Sequence, residues 1–160
     1  MTHIQLTPPA MQLREFFQPD AIALDLRGAD KDAVLAELVG LLGMGDRNAD
    51  TLLRVLQRRE SLGSTGMGRG IAIPHCRSLV VDHLRLAYGQ HRTGVEFQAI
   101  DGKPVNHFFL IVAPPLEISN QYLPVLGRIA QFAKDADVPD RLSQLRTADE
   151  FFALLEAKGV

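Results

Sequence analysis

The sequence predicts an α/β fold, a mixed β-sheet with helices on both faces, and three observations carry that prediction. The run Val105 to Ala113, with Phe108-Phe109-Leu110-Ile111-Val112 inside it, is apolar at consecutive positions, as a strand covered on both faces must be. Two stretches, Lys31 to Leu42 and Ser119 to Lys134, repeat apolar residues at spacings of three and four, the stripe of a packed helix. Strand-like and helix-like segments also alternate along the chain, which is the order that lays helices over a sheet.

Taken in order, residues 1–10 offer few anchors besides Ile4 and Leu6 and are expected to form a loose arm. Leu13, Phe16 and Phe17 suggest a short helix before Pro19, and Ala21 to Leu26 alternates as a strand does. Asp30 is placed to cap the helix from Lys31 to Leu42, with Val34, Leu35, Leu38, Val39 and Leu42 on one stripe. Gly43-Met44-Gly45 ends it. Asn48 is the expected cap of the next helix, buried through Ala49, Leu52, Leu53 and Leu56, with Arg58 and Arg59 in a last turn that favours cations. After the glycine-rich stretch discussed below, Leu84 to Tyr88 reads as a strand, Val95 to Ile100 as a weaker one, and Asp101-Gly102-Lys103-Pro104 as a turn. Pro114-Pro115 breaks the central strand. Ser119 is the expected cap of the following helix, with Leu123, Leu126, Ile129, Ala130 and Ala133 inward and Pro124 in its first turns. Pro139 opens a short helix. Thr147 and Glu150 form a capping box for the last one, buried through Phe151, Phe152, Leu154 and Leu155.

The 160 residues, with 46% hydrophobic and 22% charged, suit one ordinary domain, expected to span 1–160. A formal net charge of -2 leaves no broad basic footprint, which argues against nucleic acid as the main partner. No apolar run approaches the ~20 residues of a membrane span, so no direct membrane insertion is expected. The start lacks a signal-peptide pattern, and the single cysteine, Cys76, suits a reducing cytoplasm.

The functional signal is concentrated between Arg58 and His75. Glycines at 63, 66, 68 and 70 are followed by Ile71-Ala72-Ile73, then Pro74 and His75. Glycines tolerate positive φ, so backbone N–H groups in such a loop can converge on an anion. Pro74 restricts the backbone leading to His75. An imidazole held beside an anion-binding loop is a reasonable place to form a phosphohistidine, although the glycines alone would fit a surface loop with an incidental histidine. Gly63 to Gly68 has P-loop spacing, but Arg69 and Gly70 stand where Lys and Ser/Thr are required, and the helix precedes the loop. Gly66-Met67-Gly68-Arg69-Gly70 fails the dinucleotide fingerprint in the same way. His83, His91 and His107 share no ligand spacing with His75 or Cys76, so no metal site is expected. Cys76 should point away from its neighbour on an extended segment, Arg69 suits a solvated charge or a docking rim, and Met67 suits packing.

The stretch Arg59-Glu60-x-x-Gly63-Ser64-Thr65-Gly66-x-Gly68-x-Gly70-Ile71-Ala72-Ile73-Pro74-His75 resembles the signature of the fructose/mannitol-type enzyme IIA domain of the bacterial phosphotransferase system. The likeness extends to Phe16-Phe17-x-x-Asp20-x-Ile22-x-Leu24-Asp25, the Phe109-to-Ala113 strand and the final helices, and is strongest toward the nitrogen-regulatory members. The resemblance implies that His75 accepts a phosphoryl group on its tele nitrogen from an HPr-like phosphocarrier protein. It further implies that Arg59 contacts phosphate or partner, that Ser64, Thr65 and Gly66 supply phosphate-binding donors, and that no cofactor is needed. Onward partners would be a IIB carrier in a sugar-specific protein, or a potassium transporter or sensor kinase in a regulatory one. Phosphoryl transfer asks a protein mainly for positioning and charge stabilisation. Members of this family often carry a second histidine where this chain has Tyr122, a residue that can donate a hydrogen bond but cannot carry positive charge near pH 7.

Overall fold

The apolar run that led the prediction forms the middle of the sheet. The computed structural model describes residues 11–160; the arm expected over residues 1–10 lies outside them. Leu13–Phe16 forms a short 3-10 turn, and the strands are β1 (Phe17–Ala23), β2 (Gly66–Gly68), β3 (Ile71–Ala72), β4 (His75–Arg77), β5 (Arg85–Val95) and β6 (Val105–Ala113). β6 pairs antiparallel with β5, with Tyr88 opposite Phe109. Its other edge is shared in parallel by β3 and, further along, β4. β1 runs parallel to β5 at one margin, and β2 runs antiparallel to β3 at the other, so the sheet is mixed as expected.

Helices α1 (Lys31–Gly40) and α2 (Asp46–Ser61) cover one face; α3 (Tyr122–Lys134), α4 (Val138–Ser143) and α5 (Ala148–Ala157) cover the other. Strand alternation divides β6 between them. Phe108, Leu110 and Val112 enter the α1/α2 layer, while Phe109, Ile111 and Ala113 enter the α3–α5 layer. Fully burying one such side chain is worth roughly 1.5–3 kcal/mol, so β6 alone anchors both layers. Tyr88 stacks on Phe151 with ring centroids 4.7 Å apart, tying β5 to α5.

Several local expectations are corrected. β1 starts earlier than the alternation suggested, because Pro19 is tolerated on an edge strand. Of the weak strand expected at Val95 to Ile100, only Val95 is in a strand, as the last residue of β5, and residues 96–100 form a loop. Asn48 does not cap α2. Gly45 precedes the helix, and Asn48 is an exposed residue of its first turn. Ser119 does not cap α3 either, since the helix begins at Tyr122, whose N–H donates to the Glu117 carboxylate at 2.9 Å. A carboxylate suits the positive end of the helix dipole better than a neutral hydroxyl. The buried stripe of α3 is Tyr122, Val125, Ile129, Phe132 and Ala133, rotated by about one residue from the expected one, and Leu123 is left 65% exposed. Both faces of this helix are apolar, and packing on β6 chose between them. By contrast, Asp30 caps α1 as expected through the Ala33 N–H at 2.8 Å. Thr147 accepts from the Glu150 N–H at 3.1 Å, but the Glu150 carboxylate turns to the Arg146 N–H at 2.8 Å.

Candidate functional site

His75 is the first residue of β4, at the end of the sheet where the two helical layers meet. Pro74 fits there because its missing N–H is not needed, while its carbonyl accepts from the Ile111 N–H at 2.9 Å and docks the segment on β6. The ring is part-buried, and Nδ1 lies 2.6 Å from the Ile73 carbonyl oxygen. A carbonyl can only accept, so Nδ1 carries the hydrogen and Nε2 keeps its lone pair. Among the described residues Nε2 has no hydrogen-bond partner.

His75 lines a shallow pocket of about 490 Å³. From the α2 side it receives Arg58 and Arg59, from β4 Arg77, and from α3 Tyr122. Arg59 donates to the Gly63 carbonyl at 2.9 Å, which holds its charged head at the loop. The Arg77 guanidinium lies over the Tyr122 ring, 4.5 Å from its centroid, and donates to the Pro114 carbonyl at 3.0 Å. The Tyr122 and His75 rings are 6.4 Å apart, and burial pushes the phenol up to about 12, so it stays protonated and able to donate. Arg77 escaped the sequence reading. Its signal was its place two residues after His75, on the same side of an extended strand. Leu62, 81% exposed, and Leu123 stand beside the pocket as an apolar rim.

The structure therefore brings His75, Arg59 and Tyr122 together, but not Ser64, Thr65 and Gly66. Ser64 donates its hydroxyl to the Phe97 carbonyl at 2.6 Å and accepts from the Gly66 N–H at 3.0 Å. The Thr65 N–H and hydroxyl both go to the Glu60 carboxylate. In this structure these donors are used inside the protein, where they support the loop that leads to His75. The glycines serve a β2–β3 hairpin. Gly68, Arg69 and Gly70 have φ of 91°, 59° and 78°, and a Cβ on Gly66 would stand 2.7 Å from that of Ala99. Arg69 is exposed, as a solvated charge would be, and its guanidinium also binds the Ala133, Asp135 and Ala136 carbonyls, which ties the hairpin to the end of α3. Cys76 turns into the α1/α2 layer, where burial pushes its thiol up to about 12, and a thiol so protonated is inert. No group of three or more His, Cys, Asp or Glu among the described residues could hold a metal ion. No described helix is long and apolar enough to cross a membrane.

The site is thus a histidine among arginines at one end of an α/β/α sandwich. The chain belongs to the family described as the phosphoenolpyruvate-dependent sugar phosphotransferase system, EIIA 2, which it matches over residues 15–158. It is 33% identical over 147 residues to a nitrogen regulatory protein of Pseudomonas aeruginosa, covering 91% of this chain and 95% of that one. It is 28% identical over 149 residues to a fructose-specific EIIABC component of Bacillus subtilis, covering 91% of this chain and 23% of that longer one. The crystal structure of the nitrogen regulatory protein IIA-Ntr from Neisseria meningitidis superposes with a TM-score of 0.80 at 31% identity, over 88% of this chain and 97% of that one.

Proposed function

We propose that this phosphotransferase-system protein accepts a phosphoryl group on Nε2 of His75 from an HPr-like phosphocarrier and serves as a regulatory component linked to nitrogen metabolism. The observation that carries the chemistry is the His75 ring itself, with Nδ1–H given to Ile73 and Nε2 left free in a pocket flanked by arginines. In the transfer, the Nε2 lone pair attacks the phosphorus of the carrier's phosphohistidine. The carrier's P–N bond breaks, its electron pair returns to the carrier imidazole, and that ring takes a proton from water. Nδ1–H of His75 stays in place throughout. Arg59 and Arg77 offset the charge spread over the phosphoryl oxygens. The exposed Leu62 and Leu123 supply an apolar surface on which a carrier can seat.

The regulatory reading rests on the near full-length similarity to the Pseudomonas aeruginosa protein. The alternative, passing phosphate to a IIB carrier for sugar uptake, rests on the similarity to the Bacillus subtilis component. Tyr122 favours regulation: a neutral phenol can bond a phosphate oxygen but cannot supply the positive charge that would help the phosphoryl group leave. The decisive experiment is incubation with phosphoenolpyruvate, enzyme I and an HPr-like carrier, read by intact-protein mass spectrometry. One acid-labile phosphate is expected, absent in His75→Ala. Labelling that survives this substitution would overturn the assignment, and a return of the label only to IIB carriers of sugar uptake would favour the alternative.

A further inference from the structure

At the end of α2 that leads into the glycine hairpin lies a largely buried ion pair that touches neither the pocket nor the His75 ring. Lys31 Nζ, at the start of α1, stands 2.9 Å from Glu60 Oε2, in the last turn of α2, and the two side chains are 18% and 3% exposed. The ammonium also sits 4.5 Å from the centroid of the Phe97 ring. Burying two charges costs several kcal/mol for each ion, and an apolar pair of the same volume is often at least as stable. Stability is thus a weak reason for such a pair, and its connections supply a better one.

Glu60 accepts the Thr65 N–H at 3.1 and 3.3 Å as well as the Thr65 hydroxyl. The Thr65 carbonyl accepts the Ile73 N–H at 3.1 Å. The Ile73 carbonyl then accepts Nδ1–H of His75 at 2.6 Å. Every link from Lys31 to the imidazole is a hydrogen bond or an ion pair, and each fixes the group that makes the next. Pro74 keeps the final step short by restraining the backbone between Ile73 and His75. The path ends on the atom whose hydrogen decides which nitrogen is free.

We propose that Lys31 and Glu60 are positioning residues for His75: through Thr65 and Ile73 they hold its ring as the Nδ1–H tautomer and so direct phosphorylation to Nε2. The proposal rests on the phosphoryl-acceptor reading for its consequence but not for its tautomer. A carboxylate is needed at 60 because one group must take two Thr65 donors while facing an ammonium. A neutral amide there offers one acceptor oxygen and points N–H groups at the lysine or the threonine.

The test uses the full chain as Glu60→Gln, Lys31→Met and the rescue variant Lys31→Arg. Nitrogen-detected NMR of the unphosphorylated proteins reads the tautomer, and phosphorus NMR after carrier-driven loading reads which nitrogen is labelled. Wild type should be almost wholly Nδ1–H. Glu60→Gln and Lys31→Met should show mixed tautomers, some label on Nδ1, and kcat for loading lower by about tenfold at unchanged KM for the carrier, as a small misplacement of a reacting group produces. Lys31→Arg should restore the wild-type pattern. If Glu60→Gln does not fold, Lys31→Met, altered at a partly exposed site, supports the same measurements. Wild-type tautomer and kcat in a folded variant would overturn the proposal. Failure of wild type to accept phosphate would overturn the acceptor reading instead, and the tautomer measurement would still decide this one.

Discussion

His75 opens β4, and His107 lies three residues into β6, the strand beside it, yet the two rings are built for opposite purposes. His107 is 2% exposed and spends both nitrogens. The Tyr88 hydroxyl lies 2.8 Å from its Nδ1 and the Ser143 hydroxyl 3.1 Å from its Nε2, while Ser143 itself donates to the Pro139 carbonyl at 3.0 Å. This order makes His107 the Nε2–H tautomer, accepting from Tyr88. Burial pushes its pKa down to about 4, so it stays neutral. His75 holds the other tautomer, spends one nitrogen and leaves the second in a pocket of arginines. The two rings thus differ in what they leave unbonded, and on the proposed function that difference, not the presence of an imidazole, sets which one reacts.

The comparison can be broken most directly by exchanging the same residue at the two places. His75→Gln should lose all carrier-dependent labelling while its denaturation midpoint stays near wild type. His107→Gln should keep labelling and lose about 1–3 kcal/mol, the penalty for disturbing a buried hydrogen-bonded group. Urea melts beside the labelling assay check both, and a destabilised His75→Gln with a normal His107→Gln would reverse the assignments.

Acid should find the same difference. Because the folded His107 binds a proton less readily than an unfolded histidine at 6.5, protonation favours the unfolded chain. Its contribution is full above pH 6.5 and is lost as the pH falls toward and through about 4. The drop corresponds to about 3 kcal/mol, as an order of magnitude. Stability measured from pH 7 to pH 4 should fall less steeply in His107→Gln, and parallel curves would deny His107 this role.

A smaller effect sharpens the reactive side. Arg59→Ala should slow loading about tenfold, ~1.4 kcal/mol in the barrier, with the fold intact, since the arginine ends a helix and its contact with a phosphate would be charge-assisted. Loading kinetics equal to wild type would reduce Arg59 to a clasp on the Gly63 carbonyl. The smallest effect belongs to Tyr122→His. Discharge of the phosphoryl group should quicken, by less than about tenfold, while loading changes little. Paired quench-flow measurements decide, and equal discharge rates would make Tyr122 a packing residue.

Much of this was legible before folding. The central strand showed itself because burial on both faces demands consecutive apolar residues, and β6 begins and ends where that run does. The cap of α1 was visible because Asp30 and Ala33 are only three residues apart, within reach of one side chain. The cap of α3 was not, because Ser119 was an equally good local candidate and the choice of Glu117 depended on the path of the loop. The stripe of α3 was ambiguous for a related reason: two apolar faces compete, and only β6 selects one.

The site divides along the same line. Local sequence alone marked His75, because a proline and a glycine hairpin before a histidine restrict the backbone within a few residues of it. Arg59 was marked only through the resemblance to the family motif, its local reading being a cation in the last turn of α2. Sequence by itself also implied donors at Ser64, Thr65 and Gly66, but it could not say where they would point. Tertiary structure turned them toward Glu60 and Phe97, set Arg77 over Tyr122, and joined Lys31 to Glu60 across 29 positions of chain. Buried polar groups must find partners wherever the fold places them. Local spacing therefore announces which residues can react, and only the packed layers decide which of them remain free to do so.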